Sequence, residues 1–209
     1  HLVDRRLVRQ RRLAPGDVVA VVAPASAAGR EDGLDRAEHW LTGMGLVPRF
    51  GANAGGRHGY LAGTDEQRAD DLNAAYADRQ VKAVFAVRGG WGAARILPLL
   101  DWATIRANPK LLVGYSDVTA LHLAFAARAG FATIHGGNAA SGWYRESWES
   151  LWRLVFAADT PVLGGAAVEA ATGRLARTLS SGRARGRLLG GNLTILSTLM
   201  GTGWLPDMR

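Results

Sequence analysis

Asp17-Val18-Val19-Ala20-Val21-Val22-Ala23 is the stretch that decides the fold. From Val18 to Ala23 it is apolar at every position, so it has no polar face to turn to water. That pattern suits a strand of a parallel sheet buried on both sides. Pro24-Ala25-Ser26 ends the run. Residues 31–43 then change period, with Leu34, Ala37 and Leu41 at helical spacing, until Gly43 and Gly45 stop the helix.

The same alternation continues. Leu46 to Phe50 reads as a second strand, and residues 51–63 as a glycine-rich loop. Thr64 with Gln67 matches a capping box, Asp65 and Glu66 suit the positive end of a helix, and Ala69, Leu72, Ala75 and Tyr76 form its apolar face. Val81 to Val87 reads as a strand, the segment Arg88-Gly89-Gly90-Trp91-Gly92 as a sharp loop, and the short helix after it breaks near Pro98. Leu111 to Val113 is a strand, Asp117 to Arg128 a helix stopped by Gly130, and Phe131 to Ile134 a further strand. Strands alternating with helices over residues 17–135 predict an α/β fold with a doubly wound, mostly parallel sheet. Beyond it, Ser147 to Ala157 reads as a helix, strand-like pieces follow Arg174, and an apolar helix runs from Gly190-Gly191-Asn192 to about Met200. The expected division is a basic arm at 1–12, an N-terminal α/β domain at 13–157, a linker at 158–174, and the start of a smaller C-terminal domain at 175–209.

Composition narrows the chemistry. The 209 residues contain no cysteine, which removes disulfides, thiolate metal sites and a cysteine nucleophile. The net charge is +7. Much of that excess lies in the arm, where Arg5, Arg6, Arg9, Arg11 and Arg12 face Asp4, and no basic stripe interleaved with aromatics follows; nucleic acid is not the expected partner. No apolar run reaches the length of a membrane span, and the arm lacks the apolar centre and cleavage site of a signal peptide. A segment ahead of His1 is left open.

In open parallel sheets ligands bind at the carboxyl ends of the strands. Three loops belong there: the one after Ala23, Arg88–Gly92, and Gly114-Tyr115-Ser116-Asp117. A serine between a buried strand and a helix can sit on a tight elbow, its hydroxyl above the sheet edge and backbone amides beside it. The full Gly-x-Ser-x-Gly pattern is not met, because residue 118 is Val. Taken locally, Ser116 reads first as the N-cap of helix 117–128. The Gly89-Gly90 loop is neither a Walker loop nor a dinucleotide fingerprint, and its bland reading is a tight turn. Of the histidines, His122 follows Ser116 by about 240° of helix rotation and about 9 Å of rise, a poor position for a base. His135 ends a strand and can face the site. No metal-ligand spacing occurs.

Several segments in order resemble the muramoyltetrapeptide LD-carboxypeptidase family, which includes the microcin-C immunity peptidases. They are Leu13–Asp17 leading into Val21–Ser26, Tyr60–Arg68, Arg88–Gly92, Asn108–Lys110, Gly114–His122, His135-Gly136 and Gly190–Leu193. The resemblance implies a cytoplasmic, commonly dimeric serine hydrolase that uses a Ser–His–Glu triad without metal or organic cofactor. It hydrolyses the bond to the terminal D-alanine of a murein tetrapeptide, or in some members a toxic peptide–nucleotide conjugate. It implies Ser116 as nucleophile, the amides of Asp117 and of the Gly89-Gly90 loop as oxyanion donors, and Arg88 beside a substrate carboxylate. Trp91 and His135 are weaker substrate-contact candidates. Two departures stand out. Gly137 replaces the family's usual proline. The family's glutamate and histidine also lie beyond the segment matching Gly190–Leu193, so none of His135, His122 or Glu169 takes those roles by match. The chain is therefore expected to be a C-terminally truncated member, the competing expectation being a non-catalytic binding domain that ends at Arg209.

Overall fold

The structure is a computed structural model that describes residue 8 and residues 10–29, 32–159, 169, 173 and 178–208. Most of the basic arm and most of the 158–174 linker lie outside the described residues.

Five parallel strands form one sheet in the order β2-β1-β3-β4-β5. They are β1 (Val18–Val22), β2 (Val47–Phe50), β3 (Val81–Ala86), β4 (Leu111–Gly114) and β5 (Ile134–His135). Around them lie α1 (Gly33–Gly43), α2 (Asp65–Ala77), α3 (Trp102–Ala107), α4 (Thr119–Arg128), α5 (Arg145–Trp152) and α6 (Leu193–Thr198). The apolar run that opens the chain explains the layers. Ala20 and Val22 face one core with Leu72, Tyr76, Val84, Leu112, Leu121 and Phe125, while Val19 and Val21 face the other with Leu41, Phe85, Val113 and Leu151. Successive residues of a strand point to opposite faces, so a strand covered on both sides must be apolar throughout.

Several boundaries differ from the sequence reading. Phe131 is not in a strand; it is buried against Tyr76 and Phe125 and forms an isolated bridge to Val8, and the edge strand comes later at Ile134–His135. The helix after Gly92 is a 3₁₀ segment, Ala93–Leu99, that contains Pro98. It is followed by α3, which the reading missed. There the Asp101 carboxylate caps the helix by accepting from Ala103 N at 3.1 Å and Thr104 N at 3.0 Å. Helix 117–128 begins instead as a 3₁₀ turn, Ser116–Val118, before α4. Helix 147–157 is α5 followed by a π-type turn over Arg153–Ala157. No strand occurs over residues 178–192. Leu199 joins the α2–α4 core, with Ile195, Leu196, Trp204 and Leu205 packed against it, so this segment docks on the α/β layer.

Two buried cations fasten the scaffold. Lys110 Nζ donates to the carbonyls of Ala75 at 2.8 Å and Tyr76 at 2.9 Å, and also to that of Asp78, closing the C-terminal end of α2. Arg68, 1% exposed, donates to Pro24 O at 2.5 Å in the loop after β1, Gly92 O at 2.9 Å in the loop after β3, and Gly63 O at 3.3 Å ahead of α2, and it pairs with Asp65. One guanidinium thus ties three loops at the carboxyl edge of the sheet. Replacing Arg68 by Met leaves those carbonyls without donors in the interior. It is expected to lower unfolding free energy by about 2–4 kcal/mol, read from urea midpoints.

Candidate active site

The strand order reverses between β1 and β3, and the loops leaving those two strands diverge there to open a crevice. A cavity of about 440 Å³ lies at this edge. Each strand from β1 to β5 other than the edge strand β2 sends a loop to it: Ala28 and Gly29, Arg88–Gly90, Tyr115 and Ser116, and Asn138, Ala140 and Ser141 line it. Arg36 of α1 completes the wall.

Ser116 lines this cavity and has a φ of +64°. A non-glycine residue in this left-handed region carries roughly 1–2 kcal/mol of strain, and such residues cluster at functional sites. Its hydroxyl makes no hydrogen bond to a described residue, and the turn it opens has no side-chain cap. The N-cap reading of Ser116 is therefore corrected: a capping serine has extended backbone and bonds to an amide ahead of it. The neighbours explain the turn. A side chain at Gly114 would stand 2.9 Å from both Asn138 Oδ1 and Val118 Cγ1, and one at Gly89 would stand 2.9 Å from Ser116 Cβ and 3.2 Å from Asp117 N. The second glycine of the usual elbow is thus unnecessary here. Val118 packs over Gly114, and the close backbone approach falls to Gly89.

Polar bonds hold this approach. Ser26, 1% exposed, donates its hydroxyl to Gly89 O at 2.5 Å, and its amide donates to the same carbonyl at 3.2 Å. The Asp117 carboxylate accepts from Ala93 N at 2.8 Å. Burial pushes the Asp117 carboxyl up from its ordinary value, against the opposing pull of the Ala93 amide and the Arg68 charge. Asn138 Oδ1 accepts from Tyr115 N at 3.0 Å. Sequence reasoning missed Asn138, Arg36 and the bracing roles of Ser26 and Arg68. Only the glycines beside them pointed to close approach.

The other candidates fall in different places. Arg88 lies at the cavity over Gly29, where a Cβ would stand 2.8 Å from its guanidinium, and it has no ion-pair partner among the described residues. Trp91 is 55% exposed and stacks with Arg95, outside the cavity lining. His135 is exposed, edge-on to Tyr115 at 6.4 Å, and also outside the lining. His122 is buried and fully engaged, with Nε2 2.8 Å from Gly114 O and Nδ1 2.7 Å from Thr133 Oγ1. The carbonyl can only accept, so Nε2 carries the proton and the Thr133 hydroxyl donates to Nδ1. Neither nitrogen is available to Ser116. Glu169 is exposed. Among the described residues no helix is long and apolar enough to cross a membrane.

The fold and site define an α/β protein with a flavodoxin-like parallel sheet and a strained serine turn at its switch point. The LD-carboxypeptidase N-terminal domain matches residues 19–136, and the chain belongs to this family. It is 37% identical over 191 residues to the murein tetrapeptide carboxypeptidase of Pseudomonas aeruginosa, covering 88% of this chain and 60% of that protein. It is 44% identical over 208 residues to a relative in Streptomyces coelicolor, covering 95% of this chain and 63% of the relative. The muramoyltetrapeptide carboxypeptidase from Oxalobacter formigenes superposes with a TM-score of 0.72 at 26% identity, over 91% of this chain and 62% of that one. The microcin C7 self immunity protein MccF shares the fold with a TM-score of 0.82 at 24% identity, over 97% and 68% of the two chains. The chain spans 60% to 63% of the length of the curated relatives it matches in S. coelicolor and P. aeruginosa.

Two measurements follow from this geometry. Ser116→Gly relieves the positive φ whereas Ser116→Ala keeps it, so the glycine variant should unfold about 0.5–1 kcal/mol higher than the alanine variant. Burial lowers the His122 pKa to about 4 from 6.5, so the folded protein resists a proton that the unfolded chain takes up. Stability from this group is complete above pH 6.5 and is lost as pH falls toward 4, by about 3 kcal/mol. Urea midpoints across that range should fall less steeply in His122→Gln.

Proposed function

We propose that the full-length protein carrying this chain is a serine LD-carboxypeptidase that hydrolyses the L,D-peptide bond to the terminal D-alanine of murein tetrapeptides. The observation that carries this reading is the strained Ser116 elbow at a cavity lined by Arg88, where neither the Ser116 hydroxyl nor the Arg88 guanidinium is bonded to its neighbours among the described residues. The likeness to the P. aeruginosa murein tetrapeptide carboxypeptidase supports the substrate class.

In this reading Ser116 Oγ attacks the carbonyl carbon ahead of D-alanine. The histidine of the family's triad, oriented by its glutamate, takes the serine proton and delivers it to the leaving amine. Water then releases the acyl group. The developing oxyanion faces two amides. One is Asp117 N–H. The other comes from the Gly89-Gly90 loop, and the fold favours Gly90. Ser26 holds Gly89 O, and in a trans peptide the next N–H points the opposite way from that carbonyl. Gly89 itself supplies room for the approach. Arg88, with Arg36 on the same wall, holds the D-alanine carboxylate. The protein works in the cytoplasm as a homodimer, without metal or organic cofactor. Trp91 and His135, outside the cavity lining, receive no role in the chemical step.

Release of D-alanine from a murein tetrapeptide by the full-length protein tests the reading. Ser116→Ala should reduce kcat by roughly 10⁴-fold or more, and undiminished release would overturn the assignment. Ser26→Ala, which leaves the Gly89 carbonyl only the longer bond from the residue 26 amide, should lower kcat about 10–100-fold with little change in KM. A peptide–nucleotide conjugate assayed beside the tetrapeptide separates the family's two substrate classes.

A further inference from the structure

One wall of the cavity is left unused by the reaction just described. Asn138 follows β5, is 3% exposed, and lines the cavity that Ser116 lines. Its backbone is held rigidly, because the next two residues bond to the end of β3: Ala139 N donates to Ala86 O at 2.8 Å and Ala140 N to Val87 O at 3.1 Å. On the other side Gly137 lies under the ring of Trp143, where a Cβ would stand 2.8 Å from the nearest ring carbon. The position at which this chain departs from the family's usual proline is thus the position that Trp143 covers.

The orientation of the Asn138 amide follows from its partner. Tyr115 N–H can only donate, so the atom facing it at 3.0 Å is the amide oxygen. The amide nitrogen therefore faces the other way. It has no hydrogen-bond partner among the described residues, and it is not one of the buried polar atoms sealed from solvent. The opening beside it is the cavity. A donor on so buried a side chain is left without a protein partner where water or a ligand supplies the acceptor.

We propose that Asn138 is a positioning residue with two hands. Its oxygen holds the Tyr115 amide and with it the strained turn at Ser116, and its nitrogen donates to a backbone carbonyl of the bound peptide. This inference rests on the reading of Ser116 as the nucleophile. The oxygen acts on the chemical step through the elbow, whereas the nitrogen acts on binding.

The two hands separate by substitution in the full-length protein. Asn138→Asp keeps an acceptor for Tyr115 N–H at nearly the same volume and removes the donor. It should raise KM for the tetrapeptide about tenfold or more while kcat stays within about threefold. Asn138→Ala removes both, and should add a loss in kcat of about tenfold or more. It should also slow phosphonylation of Ser116 by a small serine-directed reagent that does not reach the peptide subsite, whereas Asn138→Asp should react at the wild-type rate. A wild-type KM in folded Asn138→Asp overturns the donor role. An unchanged phosphonylation rate in Asn138→Ala overturns the positioning role. If one variant fails to fold, as judged by its urea transition, the other still decides its own half. Ser116→Ala is run alongside: if it still releases D-alanine, the nucleophile reading fails, whereas an inactive Ser116→Ala with a wild-type KM in Asn138→Asp refutes this inference alone.

Discussion

The site depends on one close approach, that of the loop after β3 to the turn after β4. Gly89 lies so near Ser116 that a methyl group between them would stand 2.9 Å from Ser116 Cβ. Backbone segments with polar groups do not come this close unless those groups are satisfied. Here they are bonded in a ring. Ser26 takes the Gly89 carbonyl, Arg68 takes those of Pro24 and Gly92, Asp117 takes the Ala93 amide, and Asn138 takes the Tyr115 amide. The loops after β1, β3, β4 and β5 are thereby tied into one frame.

The energetics explain why the frame is buried. Exposed ion pairs such as Arg145 with Glu149 contribute little, since water and salt compete for both partners. Arg68 and Asp117 are nearly inaccessible, and each bond they make replaces a partner that desolvation has removed. Removing one member leaves the others unsatisfied in the interior. Strain of roughly 1–2 kcal/mol at Ser116 can persist against such a network, because relaxing the turn would break several of these bonds together.

The frame also separates two kinds of polar residue that share one segment. His122 lies between one and two helical turns beyond the elbow and has both ring nitrogens engaged, so burial keeps it neutral and inert. It supports the turn through Gly114 O, which also accepts from the Gly136 amide at 3.1 Å. Ser116, six residues earlier, has no partner for its hydroxyl among the described residues. The difference between the two groups is whether the polar atom is spoken for by the described residues.

Much of the fold was legible in the residues themselves. Val18–Ala23 had to be a strand buried on both faces because it has no polar side, and the Thr64–Gln67 capping box starts α2 where both reciprocal bonds form. These are local properties of periodicity and backbone hydrogen bonding, which a sequence carries directly. Short elements were not legible. The two-residue β5 and the six-residue α3 are set by pairing with β4 and by the Asp101 cap, and neither has length enough to show a period. The site was legible only in part. The order of segments marked Ser116, but the immediate sequence favoured a helix cap, and what decides against it is a positive φ imposed by residues from four separate loops. Asn138, Ser26 and Arg68 act across 23, 63 and 44 residues of chain, and such contacts leave no local pattern. The sequence alone determined which strands could be buried and which loops would reach the sheet's carboxyl edge. Tertiary structure alone decided which polar atoms there are consumed by packing and which remain free for chemistry, because hydrogen-bond satisfaction depends on distances between segments far apart in the chain.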